Sequence, residues 1–318
     1  MKRWINKIIY MYKFGKVKYI YLKILDEVRG TKDSNSYLYE KLKNAKADEY
    51  ENLLTIVFGM KTGKKINLKN PQTFNEKIQW TKLHGITPRI LKLTDKYLVR
   101  EWVKEYIGEQ YLIPLLGVWD RFEDIDIDKL PNSFVLKCNH GSGWNDIVKD
   151  KNKWNYEETK CKFDKWMNLN FAYMAGYELQ YKDIVPKIIA EQYIEDINGK
   201  CDDYKFLCFN GKVAYFWIDT ERVKDHRRDI FDVSGKHVNG MIGYANADSI
   251  PELPSNINEM IKLAEKLSEG FPHVRVDLYS IGQKIYFGEM TFTSGNGMEK
   301  IEPIELEEHL GCLFGIKE

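Results

Sequence analysis

The sequence has few cysteines, and no two of them lie at metal-binding spacing. Its five cysteines are scattered along 318 residues and none belongs to a CxxC pair. Paired cysteines at short spacing are the usual sign of a zinc site or a disulfide framework. Neither is therefore predicted, and a reducing, cytoplasmic setting fits the sequence best.

Long apolar runs and an excess of one charge are also missing. No run of about 18 apolar residues occurs, which argues against a membrane-spanning helix. The N-terminus lacks an apolar segment with a small-residue cleavage site, so export is not indicated. The formal net charge of +1 gives no sign of a nucleic-acid partner. With 43% hydrophobic residues, the chain can bury a sizeable core in two domains or in one large domain with lobes.

Neither common phosphate-loop motif occurs, neither GxxxxGK with a following Ser or Thr nor GxGxxG before a helix. Residues 133–148 instead predict a strand, a small-residue loop and a return strand. Lys137 lies inside the first strand, where an ammonium without an anion is unfavourable. The loop of Gly141, Ser142 and Gly143 can present backbone N–H groups to a phosphate. Because such turns are common, the hypothesis depends on Lys137 and the loop together.

The most informative stretch is residues 273–297, which has the pattern of two buried strands joined by a turn. Strand periodicity places Arg275 and Asp277 on one face. The same period groups four side chains of the second strand: Ile285, Phe287, Glu289 and Thr291. If the register sets Asp277 opposite Glu289, two carboxylates and a guanidinium meet on one surface. Mg²⁺ prefers a few carboxylates with phosphate oxygens, so this predicts a metal–phosphate site. A partly solvated sheet face with an Arg275–Asp277 ion pair is the alternative.

Residues 1–30 are basic and aromatic, with eight Lys or Arg and apolar side chains at roughly helical spacing. A basic amphipathic helix can lie on an anionic membrane surface. A helix packed on the rest of the protein, with its lysines in solvent, explains the pattern as well and is the interpretation that we favour. Peripheral contact with the inner face of the membrane stays the alternative.

Turn and capping signals organise the rest of the chain. Thr73 with Glu76 three residues later forms a capping box and predicts a helix that ends near Gly85. Asn210-Gly211 between two apolar runs predicts a β-hairpin. Helical and strand-like stretches are mixed along the chain, which predicts an α+β fold.

The sequence resembles the ATP-grasp superfamily, and more closely its TupA-like branch, named after the teichuronopeptide-biosynthesis protein TupA and found among surface-polysaccharide genes. The matching stretches are FNEKIQW, TDKYLVREWV, YLIPLLGVWD, LPNSFVLKCNHGSG, IIAEQYIED, DDYKFLCFNGKV and the RVD and FGEMT strands of the hairpin. The resemblance implies an ATP-grasp fold in which two α+β lobes clamp ATP. The implied domains are a helical N-terminal extension (1–90), an N-terminal lobe with the phosphate lid (91–188) and a C-terminal lobe with the metal site (189–318).

Carried over residue by residue, the resemblance implies an ATP site. Lys96 and Lys137 would reach the α- and β-phosphates. The lid over the phosphates would be Gly141, Ser142 and Gly143. The hinge that reads adenine, largely through backbone groups, would be Glu191, Gln192, Tyr193 and Ile194. Asp203 or Asp202 would bind the ribose hydroxyls, and Lys205 would be a further nucleotide contact.

The resemblance also implies a Mg²⁺ site at Asp277 and Glu289. Many relatives carry Asn two residues after the metal-binding Glu; Thr291 stands there in this sequence, and its hydroxyl can still ligate the ion or a bound water. The predicted catalytic residues are Arg275, Lys137 and Arg228, with Arg275 at the γ-phosphate and the developing acyl phosphate. Three arginines of a polar segment are candidates for gripping an acidic substrate: Arg222, Arg227 and Arg228.

The implied activity is an ATP-dependent carboxylate–amine ligase that forms an amide through an acyl phosphate. The predicted substrates are a uronic acid or an amino-acid component of a surface or capsular polysaccharide, as the carboxylate, and an amino acid or small amine. The alternative is a glycosyltransferase or sugar kinase of the same pathway. A glycosyltransferase would use a D-x-D pair, which Asp124, Asp126 and Asp128 offer in an acidic, loop-like stretch. A degenerate nucleotide-binding module is disfavoured because both Asp277 and Glu289 are present.

Overall fold

The computed structural model describes residues 37–195, 202–220 and 225–316. Residues 1–30 and Arg222, for which the sequence makes predictions, lie outside these ranges. The described helices are α1 (Tyr37–Lys43), α2 (Tyr50–Thr62), α3 (Phe74–His84), α4 (Pro88–Thr94), α5 (Val99–Tyr106), α6 (Tyr156–Met167), α7 (Ile257–Leu267) and α8 (Ile304–Leu313). None of these helices is long and apolar enough to cross a membrane.

Two main antiparallel sheets accompany the helices, which confirms the α+β class. The first has four strands in the order β1-β4-β2-β3: β1 (Leu115–Trp119), β2 (Phe134–Cys138), β3 (Asn145–Val148) and β4 (Ile188–Gln192). The second has six strands in the order β11-β10-β5-β6-β7-β8: β5 (Asp202–Phe209), β6 (Lys212–Thr220), β7 (Arg227–Asp232), β8 (His237–Val238), β10 (His273–Ile281) and β11 (Lys284–Thr291). A small pair joins β9 (Met241–Ile242) to β12 (Ile301–Glu302).

Local sequence signals set several of these boundaries. The capping box at the start of α3 is present, with Thr73 Oγ1 accepting from Glu76 N–H and Glu76 Oε2 accepting from Thr73 N–H. Asn210 and Gly211 have φ of 50° and 78°, the left-handed backbone that a two-residue hairpin turn requires. The predicted helix and the predicted β5–β6 hairpin are therefore confirmed.

Each main sheet has its own hydrophobic core. Helices α4, α5 and α7 pack with buried residues of one face of the six-stranded sheet, among them Phe206, Phe216 and Val276. Helices α1, α2 and α6 pack with the four-stranded sheet around Phe134. Part of the opposite face of the six-stranded sheet packs against α3 and α8. The uncovered remainder of that face is free to form a polar site.

This packing changes the predicted division of the chain. Within the described residues, the helical N-terminal part is not a separate layer, because α1 and α2 pack with the four-stranded sheet whereas α3 packs with the six-stranded sheet. The predicted boundary at residues 188/189 falls inside β4, which pairs with β1 and β2. The chain therefore changes sheets only after β4. Sequence periodicity could not reveal this, because strand pairing is a tertiary property.

A β-bulge in β11 decides which side chains of the C-terminal hairpin face the site. Asp277 pairs with Glu289, as the sequence predicted, but Leu278 pairs with Phe287, so Gly288 is an extra residue. The bulge reverses the alternation of side chains. The predicted grouping of Ile285 and Phe287 with Glu289 and Thr291 on one face is therefore wrong. Ile285 and Phe287 belong to the core, whereas Glu289 lies on the face of Asp277.

We expect that Gly288→Ala destabilises the protein, although an added methyl group usually stabilises a strand. A Cβ at Gly288 would lie 3.0 Å from Asp277 O and 3.1 Å from the Tyr279 ring, and the backbone oxygen has little freedom to move. Overpacking of this kind lowers the free energy of unfolding by about 1–3 kcal/mol. Urea unfolding measures the loss, with Lys284→Ala, at an exposed position of the same strand, as control. An unchanged or raised stability of Gly288→Ala would contradict the role of the bulge.

Candidate functional site

A polar cleft of about 280 Å³ lies between the two main sheets. Five basic side chains line it: Lys96, Arg100, Lys137, Lys205 and Arg275. Four acidic side chains accompany them: Glu191, Asp203, Asp277 and Glu289. Apolar and aromatic surface comes from Trp144, Ile189, Tyr279 and Phe287. The cleft thus combines a dense set of charges with flat apolar walls, a combination that suits a nucleotide.

Arg275 joins the two carboxylates of the hairpin. Its Nε and Nη2 donate to the two oxygens of Asp277, both at 2.7 Å. Nη2 also donates to Glu289 Oε1 at 2.9 Å and to Thr291 Oγ1 at 3.0 Å. The Arg275–Asp277 ion pair of the alternative interpretation is therefore present, but Asp277 is only 3% exposed, so the face is not solvated there. The guanidinium compensates charges that could not otherwise be buried.

Lys205 is the second cation on this face of the six-stranded sheet. It pairs directly with Asp277 across β5 and β10, and its ammonium donates to Asp203 and, at 3.1 Å, to Asp277 Oδ2. Burial acts to lower the pKa of Lys205, but Asp203 and Asp277 outweigh it and raise the pKa above the ordinary value. Lys205 is therefore a permanent positive charge in the cleft.

Lys96 connects the two sheets. Its backbone N–H donates to Asn139 O and its ammonium donates to Gly141 O at 2.6 Å, both next to β2. The same ammonium lies 3.9 Å from Glu289 Oε2 on the opposite wall. Burial lowers the pKa of Lys96, with Glu289 opposing that effect. Asp95, which precedes Lys96, fixes this turn because its carboxylate accepts a hydrogen bond from the Asn139 side-chain amide at 2.9 Å.

Lys137 and Arg100 share one carboxylate. Glu191 Oε2 accepts from Lys137 Nζ at 2.6 Å, and Glu191 Oε1 accepts from Arg100 Nη1 at 2.9 Å. Arg100 also donates to Ile113 O at 2.9 Å. In this structure Glu191 is thus the anion that the strand position of Lys137 requires. Its side chain holds two cations in the cleft, a role that the adenine-hinge prediction did not include.

The loop between β2 and β3 closes one side of the cleft. Ser142 and Gly143 line it, and Gly141 provides the carbonyl that binds Lys96. Gly143 has φ of 73°, and a Cβ at this position would meet no atom within 4 Å, so this part of the loop is open. His140, beside the loop, is buried and bonded to Asn139 and Trp166, and burial lowers its pKa to about 4. A neutral structural imidazole explains His140.

Some predicted site residues lie outside the cleft lining. The side chains of Gln192, Tyr193 and Ile194 do not contribute to it, although the adenine prediction concerns their backbone groups and stays a prediction. Arg227 is bonded to Asp225 and to Asn246 O. The positions of these four side chains therefore do not favour direct contact with a ligand in the cleft.

Arg228 does not face the cleft either. It is buried, forms a bidentate pair with Asp219 and also donates to Glu299 at 3.1 Å. The rings of Trp217 and Tyr244 lie 4.6 and 5.0 Å from its guanidinium carbon. Its guanidinium is enclosed by these groups, so this arrangement does not favour the predicted catalytic and substrate-binding role of Arg228, which stays a prediction.

Sequence reasoning missed several cleft residues. Arg100 follows Lys96 by four positions, but only the fold brings it to Glu191. Tyr279 and Phe287 looked like ordinary hairpin residues, and Gly288 showed no sign of a bulge. Arg100 in the stretch TDKYLVR is the one local sign in the sequence of a further cation near Lys96.

The chemistry of Asp277, Glu289 and Thr291 fits Mg²⁺ in the company of phosphates. Asp277 and Glu289 are directly paired across the strands, and the Thr291 hydroxyl donates to Glu289 Oε1 at 2.9 Å. In the described part of the chain, no group of three or more His, Cys, Asp or Glu could hold a metal by itself. Mg²⁺ is usually bound by one or two carboxylates together with substrate phosphates, and Asp277 and Glu289 are two neighbouring carboxylates.

Comparison with known proteins gives one family match. A family model described as TupA-like ATPgrasp matches residues 76–315. No curated protein matches the chain. A D-alanine–D-alanine ligase from Bacillus anthracis aligns at 18% identity and a TM-score of 0.37, over 63% of this chain and 57% of its own. The corresponding ligase from Helicobacter pylori aligns at 14% identity and a TM-score of 0.39, over 76% of this chain and 69% of the ligase. N5-carboxyaminoimidazole ribonucleotide synthetase from Thermus thermophilus aligns at 11% identity and a TM-score of 0.36. The alignment covers 63% of this chain and 45% of the synthetase. This chain thus spans less than two thirds of the Bacillus anthracis ligase.

We expect Glu191→Gln to destabilise the ligand-free protein by about 2–3 kcal/mol, because it leaves Lys137 and Arg100 without their shared anion. Added pyrophosphate should recover part of that loss, and should raise the melting temperature more in the variant than in the wild type. Thermal unfolding with and without pyrophosphate measures both effects. Glu109→Gln, which removes an exposed ion pair with Lys104, is the control and should change little. Equal stability of Glu191→Gln and wild type would show that the ion pairs of Glu191 with Lys137 and Arg100 do not stabilise the protein.

The acid–base behaviour of Glu289 gives a second prediction. Burial acts to raise its pKa, but Lys96, Arg275 and Lys205 outweigh that effect and hold the pKa at about 2, below the ordinary 4.5. A depressed carboxyl pKa stabilises the fold above 4.5, and this stabilisation is lost as the pH falls toward 2. We therefore expect the carboxyl carbon of Glu289 in an NMR titration to show no midpoint near 4.5. A midpoint at the ordinary value would show that the three cations do not act on it.

Proposed function

The chain belongs to the TupA-like ATP-grasp family, and on this premise we propose that it is an ATP-dependent carboxylate–amine ligase. The single observation that carries the proposal is the cleft in which Arg275 spans Asp277 and Glu289 while Lys96, Lys137 and Lys205 surround them. This arrangement supplies positive charge beside two metal-binding carboxylates. It contains no nucleophile–base pair, and the proposed chemistry requires none.

The proposed reaction has two steps. An oxygen of the substrate carboxylate attacks the γ-phosphorus of ATP, the bond to the bridging oxygen breaks, and ADP leaves. The amine then attacks the acyl carbon of the resulting acyl phosphate, inorganic phosphate leaves with the C–O electron pair, and the amine loses a proton. Activation is needed because a carboxylate has no good leaving group. Phosphoryl transfer depends mainly on alignment and charge neutralisation.

Each group of cleft residues has its own proposed role in this reaction. Lys96 and Lys137 would bind phosphate oxygens from the side of the four-stranded sheet. Arg275 would stabilise charge at the γ-phosphate and at the acyl phosphate. Asp277 and Glu289, with Thr291 beside them, would hold Mg²⁺, which when bound neutralises phosphate charge. The flat walls at Ile189 and Phe287 offer an apolar surface for a base.

The finer assignment concerns the substrates. We include in the proposal a carboxylate that belongs to a surface or capsular polysaccharide, such as a uronic acid, and an amino acid or small amine as its partner. The reason is the association of the TupA-like branch with surface-polysaccharide genes. The same proposal places the reaction in the cytoplasm, near the inner face of the membrane.

The test is a coupled ADP-release assay with uronic-acid glycosides and a panel of amines, followed by product mass. We expect release that requires both partners and an amide product. Asp277→Asn and Glu289→Gln should each reduce turnover by at least about 10²-fold, because each weakens charge neutralisation in the transition state. Circular dichroism checks that both variants fold.

Asp124→Asn is the matched control, since Asp124 is paired with Arg121 on the surface, outside the cleft lining. Full activity is expected of it. A glycoside product abolished by Asp124→Asn would instead support the glycosyltransferase. A phosphate ester formed without any amine would support the sugar kinase, and normal turnover of Glu289→Gln would reject the ligase site.

A further inference from the structure

Strand β11 carries Glu289 and Thr291, and few backbone contacts hold its end in place. Among the described strands it pairs only with β10, so it is an edge strand of the six-stranded sheet. The bulge at Gly288 interrupts that pairing immediately before Glu289, and only residues 289–291 continue the ladder beyond it. A short stretch beyond a bulge at a sheet edge needs further support if Glu289 is to keep a fixed position.

Thr293, two residues after the end of β11, receives such support. It is 2% exposed, and its hydroxyl donates to Glu178 Oε1 at 2.6 Å and accepts from Gln180 Nε2 at 2.6 Å. Glu178 and Gln180 are buried, and their neighbours Tyr177 and Tyr181 belong to the core of the four-stranded sheet. The Thr293 hydroxyl therefore ties the end of β11 to the part of the chain that packs with the other sheet.

Asn296 holds the same segment three residues further on. Its backbone carbonyl accepts from the Gln79 amide at 2.7 Å and from the Lys82 ammonium at 2.8 Å, and both of these side chains belong to α3. Its side-chain amide donates to Ala175 O at 2.9 Å. Residues 293–296 are therefore bonded at both ends, by α3 and by residues 175–180.

Two buried charges accompany these hydrogen bonds. Lys82 is fully buried and Glu178 is 8% exposed. Burial lowers the pKa of Lys82 to about 8, and the charge of Glu178 opposes that effect. Burial also raises the pKa of Glu178, and Lys82 and the hydrogen bond from Thr293 oppose that shift. The two charges compensate each other, and neither has a part in the proposed reaction.

Gln180 shows that the contact with Thr293 has an unfavourable side. Its Oε1 is buried and has no hydrogen-bond partner within the described ranges. An unpaired buried acceptor is unfavourable, and an apolar side chain of similar shape would avoid it. The amide of Gln180 is therefore explained by the bond that its N–H group makes to Thr293.

From these contacts we infer that Thr293, held by Glu178 and Gln180, is a positioning residue for the Mg²⁺ site. It fixes the end of β11 and thereby sets Glu289 relative to the cations of the opposite wall. The inference rests on the Mg²⁺ site of the proposed function. It gives a part in that site to three buried side chains that do not line the cleft.

The test measures the affinity of the full chain for ADP by calorimetry, once with Mg²⁺ and once with EDTA. The ratio of the two affinities is the Mg²⁺ effect, and we expect it to exceed one in the wild type. Thr293→Val keeps the shape of the side chain and removes the hydroxyl. It should reduce the Mg²⁺ effect roughly tenfold and leave the affinity in EDTA unchanged, because groups that orient metal ligands typically contribute about 10–100-fold to metal affinity. Thr293→Ser should restore the effect.

Thr159→Val is the matched control. Thr159 is also 2% exposed, and its hydroxyl also donates to a carboxylate, of Asp146, and accepts from an N–H group, of Trp154. It lies on α6, outside the cleft lining, so Thr159→Val should lower the melting temperature without changing the Mg²⁺ effect.

A second variant, Gln180→Met, decides the question if Thr293→Val does not fold. It removes the donor to Thr293 together with the unpaired oxygen, so we expect it to fold. It should reduce the Mg²⁺ effect in the same direction as Thr293→Val. In the ADP-release assay, both variants should raise the Mg²⁺ concentration at half-maximal turnover.

The inference and the proposed function fail in different ways. A Mg²⁺ effect of wild-type size in Thr293→Val and Gln180→Met, or an equal reduction in Thr159→Val, would overturn the positioning role even if ADP release requires both substrates. A reduction confined to Thr293→Val and Gln180→Met, without any amine-dependent ADP release, would keep the positioning role and reject the ligase. Absence of a Mg²⁺ effect in the wild type would overturn the inference.

Discussion

Arg275 lies between two carboxylates, of which Asp277 is buried and Glu289 is partly exposed to the cleft, and the rest of the cleft depends on that contact. Asp277 and Glu289 face each other directly, and without a cation their repulsion and desolvation would oppose folding. The guanidinium bonds both of them, and Lys205 and Lys96 approach from either side. If the proposed Mg²⁺ and phosphates bind here, they would replace part of a balance of charge that the folded protein already holds.

The same principle extends to the opposite wall, where Glu191 neutralises Lys137 and Arg100. Each wall therefore carries cations held by carboxylates. In the proposed function, a phosphate that enters the cleft would compete with these carboxylates for the cations. The ligand-free cleft therefore already holds its cations in place, each of them bonded to a carboxylate.

The sequence predicted much of this molecule because several of its signals are local. The capping box of Thr73, the Asn210-Gly211 turn and the pairing of Asp277 with Glu289 are confirmed, and the family match confirms the ATP-grasp fold. What it could not predict depends on tertiary packing. The bulge at Gly288 reverses a strand face, and Arg228 is enclosed by Asp219 and two rings that lie elsewhere in the chain.

Charged side chains in strands show the limit of sequence periodicity. A charged side chain in a strand indicates that a counter-charge is near, but periodicity cannot say whether protein or ligand supplies it. The sequence predicts a phosphate contact for Lys137, and the structure gives it Glu191 as a protein partner. The sequence predicts a substrate contact for Arg228, and the structure gives it Asp219 as a partner. Lys137 and Arg228 differ in how accessible their charged groups are from the cleft. Lys137 lines an open cleft beside its carboxylate, whereas Arg228 is buried and bonded to Glu299, so Lys137 is the more accessible of the two to a ligand.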